Sequence, residues 1–183
     1  MSRKPKILFL LLVFSSFLSF SQVLSTPASS VELIPSEKCF DRVHSLLNEA
    51  TKSIFVVMYL FKYYPEYPLS PSNVLLQDLI KAKERGLDVK ILLDISDWNE
   101  EGTKENRKTG RILSRNGVKV YYDKIDVTTH AKAVVIDSKY TVIGSHNWTY
   151  SGLSKNNELS VLIYSEELAK RMEKYIMELT KGN

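Results

Sequence analysis

The sequence predicts an α/β fold in which a mixed sheet is sandwiched between helices, an α-β-α arrangement. Three features predict it. Short apolar, β-branched runs alternate with segments of helical periodicity through the first two-thirds of the chain, as in βαβ units. Strand-like runs then follow one another directly, as antiparallel neighbours do. A capped amphipathic segment closes the chain. In order, Val31 to Ile34 reads as a short strand, and Ser36 as the cap of a helix whose apolar positions are Cys39, Phe40, Val43, Leu46, Leu47 and Ala50. Ser53 to Leu60 is a continuous apolar run, the pattern of a buried strand. Ser70-Pro71 opens a second helix, with proline at the first helical position, and Gly86 closes it. Asp88 to Asp94 is a third strand, Lys104 to Arg115 a basic helix ending at Asn116-Gly117, and Val118 to Tyr122 a fourth strand. His130 to Ile136 and Thr141 to Gly144 form a hairpin turning at Asp137-Ser138-Lys139. Glu158 to Tyr164 is the last strand, and Ser165 with Glu166 and Glu167 caps a final helix running to about Thr180.

With 183 residues the chain suffices for one domain with a sizeable core, not two. The lone cysteine, Cys39, excludes an intramolecular disulfide, and its place on an apolar helix side fits a buried structural thiol. Residues 1–30 are expected to lie outside the domain at 31–183. Arg3, Lys4 and Lys6 precede an apolar run from Ile7 to Phe20, and small and polar residues follow from Ser21. That is the pattern of a secretory signal peptide, or of an uncleaved N-terminal anchor through residues 7–20. Either places the domain outside the cytosol, secreted or periplasmic, if the basic end stays inside. The net charge of +4 includes the three cations of this leader. The remainder is nearly neutral, so overall charge does not argue for a nucleic-acid partner. The local run Lys104, Arg107, Lys108, Arg111, Arg115, Lys119 and Lys124 fits either a solvated helix face or a patch that tracks a phosphate backbone.

The chemistry concentrates in His130-Ala-Lys132, Asp137 and Gly144-Ser145-His146-Asn147. Strand side chains alternate, so His130 and Lys132 share a face, as do Ser145 and Asn147. A potential nucleophile, a fixed cation and neutral donors converging on one point suit an anionic tetrahedral centre such as a phosphate ester. A strand lysine is almost never buried without a partner, which separates this pair from an ordinary core histidine.

These residues, His-x-Lys-x4-Asp followed by Gly-Ser-x-Asn and then Glu158, resemble the signature of the phospholipase D superfamily. The resemblance covers Val31 to the C-terminus and implies the same α-β-α architecture. A single motif in so short a chain is most similar to the small dimeric endonucleases of that superfamily, and next to its mitochondrial cardiolipin hydrolase and piRNA-nuclease branch. It implies that His130 attacks phosphorus to give a covalent phosphohistidine, and that Lys132, Ser145 and Asn147 hold the phosphate oxygens. It also implies that Glu158 accepts a hydrogen bond from the other nitrogen of His130. Asp137 completes the catalytic motif but sits at a turn, where it is expected to support geometry. No metal ligand set is evident and no cofactor is expected.

The leaving oxygen needs an acid. Alternation turns His146 away from the face of Ser145, and His44 has no useful companion. The economical acid is therefore His130 of a second chain in a two-fold homodimer. The substrate expected is a DNA or RNA phosphodiester. A phospholipid head group such as that of cardiolipin is the alternative, and a non-catalytic nucleic-acid-binding domain a second one. Tyr59-Leu60-Phe61 resembles a short family segment, with Lys62 where that segment has threonine. Tyr63, Tyr64 and Tyr67 follow in an extended loop and could stack on bases, pack locally or rest on a membrane. Asn147-Trp148-Thr149 fits the glycosylation pattern, but a pocket role for Asn147 makes that match accidental.

Overall fold

The computed structural model describes residues 25–182. The leader predicted over residues 7–20 lies outside the described residues. Seven strands form one sheet in the order β1-β7-β6-β5-β2-β3-β4. They are β1 (Ser30–Pro35), β2 (Ser53–Met58), β3 (Asp88–Leu93), β4 (Lys119–Tyr122), β5 (Lys132–Ile136), β6 (Tyr140–Gly144) and β7 (Leu159–Tyr164). β2, β3 and β4 run parallel because helices connect them. β5, β6 and β7 are joined antiparallel, and β5 docks antiparallel on β2. β2 is thus the seam between a crossover half and a meander half. Its residues Ile54 to Met58 are all buried, which explains their unbroken apolar run.

The helices are α1 (Ser36–Glu49), α2 (Pro71–Glu84), α3 (Glu100–Arg115), α4 (Tyr150–Ser154) and α5 (Glu166–Leu179). Leu46, Leu47, Leu75, Leu76, Leu79 and Leu113 belong to a large core on one face of the sheet, with Ile54, Val56, Ile91 and Val134. Among the described residues α5 alone covers the other face, setting Ala169 and Ile176 against Phe55, Val57, Leu92 and Val135. The sandwich is real but lopsided. α2 begins as its sequence suggests, with Ser70 Oγ accepting from Asn73 N and Pro71 at the first position. Gly86 takes a φ of 90°, which a side chain would resist. Among the described residues no helix is long and apolar enough to cross a membrane.

Four expectations change. Ser36 does not cap α1; Pro35 holds that position without a side-chain bond. The Ser36 hydroxyl instead donates to Glu158 O at 2.8 Å and accepts from Glu158 N at 2.6 Å, tying α1 to the start of β7. α3 begins four residues before Lys104, because Asn99 Oδ1 accepts from Gly102 N at 3.1 Å. α4 is an unexpected short helix, too brief to show periodicity, capped by Thr149 Oγ1. The fold also starts before Val31: Ser29 N donates to Tyr164 O at 2.9 Å, and Ser165 Oγ, the cap of α5, donates to Pro27 O at 2.6 Å.

Candidate active site

His130 lies just before β5, at the end of the sheet where β2, β3 and β4 also finish. Lys132 is the first residue of β5, opposite Met58 of β2. The predicted shared face is realised: Lys132 Nζ stands 3.2 Å from His130 Nδ1 and donates to His130 O at 2.6 Å. Tyr59 completes the group. Its ring lies 4.4 Å from the imidazole, centroid to centroid, and the Lys132 ammonium sits over it at 4.8 Å. The lysine is buried, only 7 % exposed, so loss of hydration lowers its pKa, against the pull of Glu158 and Asp94. Desolvation and then the Lys132 charge hold His130 below the usual 6.5, leaving the imidazole neutral at pH 7. A neutral imidazole beside a fixed cation is a nucleophile next to the group that stabilises its product.

Gly144 ends β6 beside Ser160 of β7, and a Cβ there would collide with Ser160 and the Leu159 carbonyl. The glycine of the motif is required for this close approach. Ser145 then continues the ladder irregularly, its N donating to Leu159 O at 3.0 Å and its Oγ accepting from Leu159 N at 3.1 Å. Asn147 follows, its Oδ1 buried without a hydrogen-bond partner.

Glu158 is placed differently from the expectation. It does not touch His130. Its Oε2 accepts from Ser145 Oγ, and its Oε1 accepts from Asn156 Nδ2 at 3.0 Å. Strand order gives the reason: β6 lies between β5 and β7, so the carboxylate sits about 10 Å from the strand of His130, and Ser145 intercepts it. Partial burial alone would raise the Glu158 pKa. The bonds from Ser145 and Asn156, with the charges of His146 and Lys132, outweigh that and lower it. Glu158 thus orients Ser145 and contributes negative potential toward Lys132.

Asp137 lies at the opposite end of β5, roughly 23 Å along the strand from His130. Its carboxylate accepts from Thr51 N, Lys52 N, Ser53 N and Thr51 Oγ1 at 2.7–3.1 Å, pinning the hairpin to the start of β2. Neither remaining histidine is hydrogen-bonded to His130, Lys132, Ser145 or Asn147, although His146 lines a small cavity together with Lys132. His146 is buried, with Nδ1 on Ser160 Oγ at 2.7 Å, and burial lowers its pKa. His44 joins α1 to α2 through Asp78, 2.6 Å away. Cys39 is buried, its pKa pushed up to about 11 by desolvation. Among the described residues no group of three His, Cys, Asp or Glu could hold a metal ion.

The basic run is divided. Lys104, Arg107, Arg111 and Arg115 are exposed on α3, while Lys108 reaches the Tyr63 ring and Lys119 pairs with Asp88. The tyrosines divide too. Tyr63 packs on the core, whereas Tyr64 and Tyr67 line an apolar groove with Leu69, Pro71 and Tyr150. Sequence reasoning missed Asn106, which is buried and bonds Phe61 N, Tyr59 O and Asp94 O at 2.7–2.8 Å. This one amide fixes Tyr59 against His130 from the far helix. Its only signal was a polar residue on the apolar side of a charged helix.

Fold and site together define a phosphodiester-processing α/β domain, and comparison with known proteins places it. Residues 43–180 match the family described as cardiolipin synthase, PLD-like domain, and the chain belongs to that phospholipase D-like family. It is similar to the phospholipase D of Rickettsia bellii, 31% identical over 146 residues, covering 80% of this chain and 66% of that protein. The phospholipase D of Rickettsia conorii is 29% identical over 147 residues with the same coverage. The chain therefore spans just under two-thirds of these relatives. Among solved structures it resembles Nuc of Salmonella typhimurium, a phospholipase D family member. That match has a TM-score of 0.68 at 25% identity, over 82% of this chain and 93% of Nuc. NucT of Helicobacter pylori shares the fold, with a TM-score of 0.64 at 17% identity.

Proposed function

We propose that this protein is a metal-independent phosphodiesterase that cleaves DNA or RNA through a covalent phosphohistidine, working as a homodimer. The observation that carries the reading is the His130–Lys132 pair: a neutral imidazole and a buried ammonium 3.2 Å apart, at a sheet end that also presents Ser145 and Asn147. A nitrogen of His130 attacks phosphorus, the bond to the leaving oxygen breaks, and that oxygen takes a proton from an acid. Water then attacks the phosphohistidine, its proton passing to the group that acted as acid, and the phosphorus–nitrogen bond breaks to free the imidazole. Lys132 offsets the charge that grows on the non-bridging oxygens, most strongly in the transition state. Within one chain His146 and His44 are committed to Ser160 and Asp78. A partner's copy of the same side chain, protonated to imidazolium while the attacking copy is neutral, would supply the acid, with no second motif required.

Nucleic acid is favoured by the exposed cations of α3 and by overlap with nearly the whole of the small Nuc chain. One observation favours phospholipid instead, the apolar groove of Tyr64, Tyr67, Leu69, Pro71 and Tyr150, which could take an acyl chain. The two are separated by offering the protein single-stranded DNA, duplex DNA, RNA and cardiolipin vesicles in excess chelator. His130→Ala serves as the control. Cleavage of nucleic acid by the wild type alone is expected. Cleavage of lipid with every nucleic acid intact would reverse the substrate, and strict dependence on added Mg²⁺ or Zn²⁺ would refute the mechanism.

A further inference from the structure

β3 and β4 are parallel neighbours with Leu93 opposite Tyr122, so the residues that follow them, Asp94 and Asp123, leave the sheet side by side. They do so at the end that carries His130. Both are buried, 2 % and 4 % exposed. Their hydrogen bonds come from backbone amides. Asp123 Oδ1 accepts from Ile95 N at 2.7 Å and its Oδ2 from Thr129 N at 3.0 Å. Asp94 Oδ1 accepts from that same Thr129 N at 2.7 Å. Two ionised carboxylates converging on one amide repel strongly, and a single proton between them removes the conflict. The amide they share belongs to the residue immediately before His130.

The other groups facing Asp94 are the Lys132 ammonium on β5 and the Ser96 hydroxyl. One cation balances one negative charge, not two. We infer that Asp94 and Asp123 act as one carboxyl pair sharing a proton, which positions His130 by holding the Thr129 amide and releases that hold when the proton leaves. The oxygens show where the proton resides. Both Asp123 oxygens accept from backbone amides, whereas Asp94 commits only Oδ1, so the proton belongs on Asp94 Oδ2 and is donated to Asp123. Consistently, the Asp94 pKa is pushed up to about 6, by burial first and by Asp123, against the Thr129 bond. These are positioning residues; neither is asked to touch substrate.

The pair is asymmetric, and the asymmetry gives the test. In Asp94→Asn the Nδ2 group donates where the proton lay, and Oδ1 still accepts from Thr129. In Asp123→Asn an NH₂ group must face an amide that is itself a donor. In the full chain, the wild type should show a carboxylic-acid carbonyl band in the infrared at pH about 5 that titrates away as pH rises through about 6. Asp94→Asn should lack this band, keep the kcat of the wild type at that acid pH, and hold its rate above pH about 6, where that of the wild type falls. Asp123→Asn should lose roughly tenfold or more in kcat on bis(p-nitrophenyl) phosphate with little change in KM, because only the aim of the nucleophile is disturbed. Absence of the band, or equal losses in two folded variants, would overturn the inference. If Asp123→Asn does not fold, the band and the retained rate of Asp94→Asn decide. The kinetic arm rests on His130 as the nucleophile. The infrared arm does not, so failure of the proposed function would appear separately, as a wild type that has the band but no diesterase activity.

Discussion

Asp137→Ala is expected to weaken the fold and spare the chemistry, although Asp137 belongs to the motif that carries the reaction. Its carboxylate receives three backbone amides and one hydroxyl from Thr51, Lys52 and Ser53. Each bond to a charged acceptor would contribute about 1.5–3 kcal/mol if buried. The site is half exposed, so less than half of that is appropriate, or about 2–3 kcal/mol for the set. Asp137 also has a φ of 56°, which aspartate tolerates better than alanine, adding about 1 kcal/mol. A total near 3–4 kcal/mol lowers Tm by about 10 °C in a domain of this size. Asp137→Gly, which relieves the backbone, should recover part of the loss. Desolvation alone would raise the Asp137 pKa, but the amides of Thr51, Ser53 and Lys52 outweigh it and hold it below the usual 3.8. Its stabilisation is therefore complete above pH 3.8 and disappears as pH falls through the lowered value. The gap between wild type and variant should close in acid. Thermal unfolding across pH, with kcat measured well below Tm, tests all of this. A folded variant of unchanged Tm whose kcat has fallen a hundredfold would show that Asp137 takes part in the reaction.

Lys132→Met keeps the buried stem and removes the ammonium. kcat should drop about 100-fold or more, with a smaller rise in KM. The His130 pKa should climb toward 6.5 as the neighbouring charge disappears, moving the acid limb of the rate to higher pH, which ring-proton NMR can follow. Wild-type and His130→Ala chains mixed at equal input under exchange should give about half mixed dimers. Those dimers should be severely impaired; half the wild-type activity in them, or a fully active monomer by sedimentation, would place the acid within the chain.

Much of this architecture is written in local pattern. The β2 run from Ile54 to Met58, the Ser70-Pro71 start of α2 and the Ser165 cap of α5 each depend on near neighbours, so periodicity and capping rules reach them. The adjacency of His130 and Lys132 is likewise a two-residue fact. What escaped depends on residues distant in sequence. Ser36 looks like a cap because its neighbourhood does, yet its hydroxyl bonds the backbone of Glu158, which only strand order brings near. Glu158 misses His130 because β6 stands between their strands, and no spacing rule encodes that order. Asp94 and Asp123 each end a strand like any polar residue; only the parallel register of β3 and β4 makes them a pair.

The register of β1 has a consequence for how the molecule faces its surroundings. Ser30 pairs with Tyr164 and Pro35 with Leu159, so the chain enters the sheet at the Asp137 end and climbs toward the His130 end. Whatever precedes residue 25 is joined to the rear of the domain, about 20 Å from the reacting groups. The point where the described chain enters the domain and the groups that react therefore lie at opposite ends of the sheet.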